Sequence, residues 1–214
     1  MRHLLRNLVC AVLLLSFTGA TVAAEFWQSD WQIPEKWATK QLLIRPITEA
    51  DSQALYYTYM DAQQALYQQL GWSWPSAKTS IEQNQSMVRY HLSQWQDKSA
   101  FTYVVIIPQT SRIIGMLYMV PVLDSHESSP GIDTEHFNAE VSWWLTPSAY
   151  DDGLQNLFFT QLLKWLHKDW PWQQILLPVS DHNAPTLTLL QDSVARALGH
   201  DQDLQQRFFA LTLN

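Results

Sequence analysis

Ala139-Glu140-Val141-Ser142-Trp143-Trp144-Leu145-Thr146-Pro147 is the stretch whose reading decides the fold. It is an apolar and aromatic run with Glu140 and Ser142 set into it, the composition of a strand. Thr146-Pro147 stops it, because proline has no N–H to give to a sheet ladder. A polar connection follows over residues 148–153 and ends at Gly153. Leu154, Leu157, Phe158, Gln161, Leu162, Trp165 and Leu166 then recur at helical spacing, which predicts an amphipathic helix over residues 154–167. A strand, a tight loop and a helix in that order aim the helix N-terminus back at the strand end. Backbone N–H groups there can meet an anion.

The flanking segments extend the pattern in both directions. Residues 41–47 predict a first strand, and Thr48 an N-cap with Glu49 and Asp51 in the first turn. Ala50, Ala54, Leu55, Ala62, Ala65 and Leu66 keep roughly helical spacing, as two helices or one kinked helix, up to a break at Gly71-Trp72-Ser73-Trp74-Pro75. Thr79-Ser80-Ile81-Glu82 fits a capping box for a helix that aligns Ile81, Met87, Val88, Leu92 and Trp95. Residues 101–107 and 113–120 read as a hairpin of buried strands turned by Pro108-Gln109-Thr110-Ser111. Beyond the central helix, residues 174–179 read as a strand. A helix with Leu187, Leu190, Val194 and Leu198 on one face is expected to end at Gly199, and residues 207–213 form the last strand.

The chain has 214 residues, 47% hydrophobic and 15% charged, enough for one folded domain with an extension. A net charge of −7 argues against a nucleic-acid backbone as partner. Residues 1–24 have the layout of a signal peptide: Arg2 and Arg6, an apolar run over 8–17, and small residues before Glu25. The expected location is exported, in the periplasm. The alternatives are a membrane anchor through that segment, or the cytoplasm if it is not a working signal. Cys10, the only cysteine, lies inside the segment, so the mature chain offers neither disulfide nor thiolate. Residues 25–39 carry Trp27, Trp31 and Trp37 around Pro34, and are expected to form an arm that packs through its aromatics. The eleven tryptophans fit a packed interior or an aromatic ligand site. The polar stretch 124–138 gathers Asp124, His126, Glu127, Asp133, Glu135 and His136, but at no familiar ligand spacing, so no metal is expected.

The order of elements, with several local motifs, resembles the GNAT superfamily of acyl-CoA-dependent N-acetyltransferases over residues 40–214. Leu43-Ile44-Arg45-Pro46-Ile47-Thr48-Glu49-Ala50-Asp51 is similar to the family's opening strand and helix start. Thr110-Ser111-Arg112-Ile113-Ile114-Gly115 resembles its central hairpin. Residues 140–147 resemble its fourth strand, and Asn183 with Leu198-Gly199 its closing signature. The chain resembles a degenerate branch with Gly-x-x-Trp-Pro, Phe-Thr-Tyr, Ala-Glu-Val-x-x-Trp and Trp-Pro-Trp stretches.

The resemblance implies an α/β (α+β) fold: a mixed, mostly antiparallel sheet flanked by helices and splayed between its fourth and fifth strands. Acetyl-CoA would be the co-substrate, with its pantetheine arm in the gap and its pyrophosphate on the loop before the central helix. The implied cofactor-binding residues are Trp144, Leu145, Thr146, Tyr150, Asp152, Gly153 and Asn183. The implied catalytic base is Glu140, acting on a primary amine of a small molecule or peptide. A homodimer is compatible with the family. The loop departs from the family pattern Q/R-x-x-G-x-G/A: Tyr150 holds the Q/R place, Gln155 the final Gly/Ala place, and only Gly153 is kept. Like charges ~4 Å apart cost roughly 4 kcal/mol at an effective dielectric near 20, so Asp151 and Asp152 would oppose a docked diphosphate. Leu190 stands where many relatives carry an acidic tyrosine, with His182 and His200 as conceivable substitutes. The alternative function is therefore an exported, non-catalytic binding module that reuses the cleft near Trp143 and Trp144.

Overall fold

The computed structural model describes residues 25–28, 30–70 and 79–213. The expected signal segment and the break at residues 71–75 lie outside the described residues. Eight strands form one sheet: β1 Trp37–Ala38, β2 Leu43–Pro46, β3 Phe101–Ile107, β4 Arg112–Val120, β5 Ala139–Leu145, β6 Gln174–Ser180, β7 Arg196–Asp201 and β8 Gln206–Thr212. Their order across the sheet is β1-β2-β3-β4-β5-β6-β8-β7. Every neighbouring pair is antiparallel except β5 and β6. The helices are α1 Ser52–Asp61, α2 Gln63–Leu70, α3 Ile81–Gln96, α4 Pro147–Asp151, α5 Leu154–Asp169 and α6 Ala184–Gln191.

Strand periodicity sorts the core into two layers. On β5, Ala139, Val141, Trp143 and Leu145 face one cluster together with Phe158, Phe159, Leu162, Trp165 and Leu166 of α5. Trp144 faces the other cluster, with Leu55 and Tyr59 of α1 and Leu66 of α2. Glu140 and Ser142 share the Trp144 side by the same alternation. Gly115 lets β4 and β5 lie this close. A Cβ there would stand 2.2 Å from the Trp144 carbonyl oxygen.

The parallel pair β5–β6 is made over only two rungs, Ala139–Ile175 and Glu140–Leu176. Past Glu140 the two strands diverge, because β6 follows β8 while β5 stays on β4. The splay therefore begins at the carboxylate.

The N-terminal arm closes the α5 face. Phe26 stacks between Phe101 and Trp172 at 5.3 and 5.6 Å, and Trp31 packs on Trp170 at 5.2 Å. The arm is held by polar bonds too: Trp172 Nε1 donates to the Phe26 carbonyl at 2.8 Å and Tyr103 Oη to the Pro34 carbonyl at 2.7 Å.

Three local expectations change. The capping box sits one residue later, with Ser80 Oγ accepting from Gln83 N at 3.2 Å and Gln83 Oε1 from Ser80 N at 2.8 Å. The connection after β5 is partly helical, because Pro147 at the first helical position carries φ already suited to α4. The helix expected up to Gly199 ends at Gln191, and Arg196–Asp201 pairs with β8 as a strand. Ser193 halts the helix, its N–H donating to the Leu190 carbonyl and its Oγ accepting from Ala195 N at 3.1 Å. Gly199 is thus no helix cap; its missing side chain admits the Pro130 carbonyl, which would lie 2.0 Å from a Cβ.

Candidate active site at the splayed strands

Glu140 is buried at the last rung before the gap, and His126 from the short 3-10 turn Asp124–His126 backs it. His126 Nδ1 lies 3.0 Å from Glu140 Oε2, with both side chains almost fully buried. Neither atom makes a hydrogen bond among the described residues, so the contact is a close approach rather than a bond. The His126 ring packs edge-on against Phe208 at 4.9 Å, which fixes it beneath β8.

Two cavities meet at this carboxylate. A small one of about 100 Å³ lies in the gap, bordered by Glu140, Ser142, Trp143, Val179, Ser180 and Asn183. A large one of about 730 Å³ lies between α1, α3 and the sheet, bordered by Tyr59, Met87, Tyr90, Tyr118, Glu140 and Ser142. Glu140, Ser142 and Leu123 line both.

Gln69, near the end of α2, closes the open edge of β5. Its Nε2 donates to the Leu145 carbonyl at 2.9 Å, and its Oε1 accepts from Leu145 N at 3.0 Å. The side-chain amide thus pairs with the strand as another peptide group would. Tyr150 Oη donates to the same Oε1 at 2.8 Å, and Asn183 Nδ2 donates to the Gln69 carbonyl at 3.3 Å. Burial pushes the Tyr150 phenol up to about 12, against a hydrogen bond with Thr186 that pulls it down.

At the start of α5, Gly153 is the N-cap with φ of 69°, a left-handed conformation that favours glycine. Asp152 N and Gly153 N are already engaged, donating to the Ser148 and Tyr150 carbonyls at 3.0 Å each. Asp151 and Asp152 are exposed. A third cavity of about 210 Å³ runs past Pro147, Tyr150, Asp151, His182, Asn183 and Pro185, on the side of the gap that faces this loop.

A family model described as an acetyltransferase (GNAT) domain matches residues 41–193, well over half of the chain. The chain belongs to this family. Among solved structures, a ribosomal L7/L12 alpha-N-protein acetyltransferase, RimL, in complex with coenzyme A superposes with a TM-score of 0.67 at 15% identity, covering 84% of this chain and 98% of that one. The ribosomal-protein-S5-alanine acetyltransferase of Vibrio fischeri gives 0.62 at 12% identity, over 85% and 98%. The microcin C7 self-immunity acetyltransferase MccE with acetyl-CoA and AMP gives 0.62 at 11% identity, over 81% and 93%. No curated protein matches in sequence. At these identities the structures share the GNAT fold with this chain.

Within the GNAT frame, Leu145, Tyr150 and Asn183 gather around Gln69 at the gap, and Thr146 bonds back to β4 and α4. Leu145 offers backbone groups, Thr146 Oγ1 stands 3.2 Å from Ser148 Oγ, and Asn183 caps α6 by accepting from Thr186 N at 3.2 Å. Trp144 points away from it. Its ring is fully buried against Tyr59 at 5.2 Å, and its Nε1 donates to Tyr118 Oη at 3.0 Å. Trp143 does border the small cavity, and its buried Nε1 has no hydrogen-bond partner among the described residues. Leu190 is core. His200 is paired to Asp181 at 2.7 Å, and His182 stands 3.4 Å from Gln205 Oε1. Two residues escaped sequence reasoning. Gln69 looked like one more polar residue on a helix, and His126 one more polar residue in a loop. Among the described residues no group of three or more His, Cys, Asp or Glu is gathered as a metal ion would need, and no helix is long and apolar enough to cross a membrane.

Proposed function

We propose that this protein transfers the acetyl group of acetyl-CoA to a primary amine of a small molecule or peptide. The position of Glu140 carries the reading: one buried carboxylate borders both the large cavity and the gap between β5 and β6. An amine on one side and a thioester on the other would meet there. The bound thioester supplies an activated carbonyl carbon. The amine nitrogen bonds to that carbon, the carbon–sulfur bond breaks, and coenzyme A leaves as the thiol.

Glu140 takes the proton that the amine gives up, directly or through one water. His126, 3.0 Å behind it, packs against the carboxylate and keeps bulk water from that side. The departing sulfur needs a proton. Tyr150 is the phenol that reaches the gap, and its raised value keeps it protonated at neutral pH, able to donate. Leu145 N–H and C=O suit an amide of the pantetheine arm, since they already hold the amide of Gln69. Titrating acetyl-CoA into the full chain by calorimetry, then screening amines by mass spectrometry, tests the proposal. Saturable micromolar binding with an acetylated product supports it; neither binding nor product overturns it.

A second reading has its own observation. The protein's own amide fills the slot on β5, and two N–H groups of the phosphate loop are engaged within α4. Both features suit a GNAT-fold binding module that no longer acetylates. Export to the periplasm, directed by residues 1–24, would fit that module, since free acetyl-CoA is cytosolic. A mature protein that starts at Glu25 and ignores acetyl-CoA would favour this reading.

A further inference from the structure

The large cavity has a chemistry of its own. Its walls are the rings of Tyr59 and Tyr118 with Met87, Val120 and Leu123. The hydroxyls of these two tyrosines are turned to internal partners: Tyr59 Oη stands 2.6 Å from Met116 Sδ, and Tyr118 Oη accepts from Trp144 Nε1 at 3.0 Å. The sheet side of the cavity is therefore apolar toward a ligand, while Gln83, Ser86, Tyr90 and Gln94 of α3 set polar groups along its exposed side. Glu140 stands at the floor and Glu82 of the first α3 turn at the exposed rim. No lysine or arginine is among the described residues bordering it. Arg89, the basic side chain nearest along α3, is exposed and donates at 3.1 Å to Oγ of Ser86, an exposed residue on the solvent rim of the cavity. His91 also borders the cavity. Burial lowers its value, against a hydrogen bond that Gln94 Oε1 accepts from the ring, so it faces the ligand uncharged at neutral pH.

Such a site attracts a cation with an apolar body, and the described residues lining it include no charged partner for a carboxylate or phosphate. A peptide acceptor would need backbone bonding as well. Of the two strands that border the cavity, β4 is paired on both edges, and β5 is paired to β4 and leaves open past Glu140 only the edge that faces the gap, where Gln69 takes Leu145.

We infer that the cavity between α1, α3 and the sheet takes a small primary amine with an apolar, ring-sized body and no anionic group. The inference rests on the acyl-transfer reading for the amine's role as acceptor, but not for its binding. The cavity, at about 730 Å³, has room for such a body with its ammonium turned to Glu140.

The test titrates the full chain with 2-phenylethylamine, with phenylalanine, and with a short peptide bearing a free N-terminus. Each is run without acyl donor, and acetyl-CoA is titrated separately. The amine should bind at least about tenfold more tightly than phenylalanine, a gap of about 1.4 kcal/mol. The peptide should bind no better than phenylalanine. Met87→Lys, which sets a cation in the wall, should abolish the preference. Glu82→Gln, on the solvent rim, should weaken amine binding several-fold without risk to the fold. Equal or tighter binding of phenylalanine or the peptide overturns the inference, as does amine binding that neither variant changes. Amine binding with no affinity for acetyl-CoA would instead remove the acyl-transfer reading and leave the ligand class standing.

Discussion

Replacing Gln69 with alanine separates the roles of its amide in the fold and in the gap. The side chain makes three hydrogen bonds, two with the Leu145 backbone and one from Tyr150, all at 2.8–3.0 Å. At about 1 kcal/mol net for each, the loss is about 3 kcal/mol. Water entering the gap would return part of it, leaving a loss of about 1–2 kcal/mol and a melting temperature lower by about 3–6 °C. Acetyl-CoA should respond in the opposite direction. Its pantetheine amide must displace Gln69 from Leu145 in the native protein but meets no competitor in the variant. Relief of about 1–2 kcal/mol tightens binding by about 5- to 30-fold. Calorimetric titration of acetyl-CoA, beside a thermal melt of each protein, reads both effects. A folded Gln69→Ala protein that binds acetyl-CoA no more tightly than the native one refutes the competition. It would mean that pantetheine does not use the Leu145 edge.

Other predictions follow from separate features. Glu140→Gln should lower acetyl transfer by about 10²- to 10⁴-fold while leaving acetyl-CoA affinity unchanged, as steady-state kinetics and titration would read. Asp51 receives a bidentate pair from Arg45 at 2.7 and 2.8 Å and two bonds from Thr48. Burial raises its value, but the bonds from Arg45 and Thr48 outweigh it and hold it below the usual 3.8. Its stabilising contribution is therefore present above about pH 4 and lost as pH falls through the lowered value. Asp51→Asn should cost about 2 kcal/mol at pH 7 and flatten that acid limb in denaturant titrations. Gly115→Ala would drive a Cβ to 2.2 Å from the Trp144 carbonyl and should cost about 2 kcal/mol or more, visible as a lower melting temperature; an unchanged melt would refute the close approach.

Much of the fold could be read from local pattern. The alternation on residues 139–145, the stop at Thr146-Pro147 and the helical spacing after Gly153 are short-range signals, and β5 and α5 lie where they point. The reading failed where a partner far along the chain decided the outcome. Leu187, Leu190, Val194 and Leu198 keep a helical period, yet the edge of β8 draws residues 196–201 into the sheet. Asp124, His126 and Glu127 read as one solvated group, yet His126 alone turns inward, to Glu140 and Phe208.

By itself the sequence determined the strand-loop-helix frame, the hairpin and the aromatic arm, because each rests on spacing within about twenty residues, and the family resemblance, which rests on the order of such elements along residues 40–214. Tertiary structure alone decided which side chains reach the gap. Gln69 and Leu145 are 76 positions apart, and His126 meets Glu140 across a polar loop. It also decided that Trp144 belongs to the core while Glu140 opens onto two cavities. No local pattern records where two strands part, since that depends on which neighbours complete each strand's hydrogen bonds.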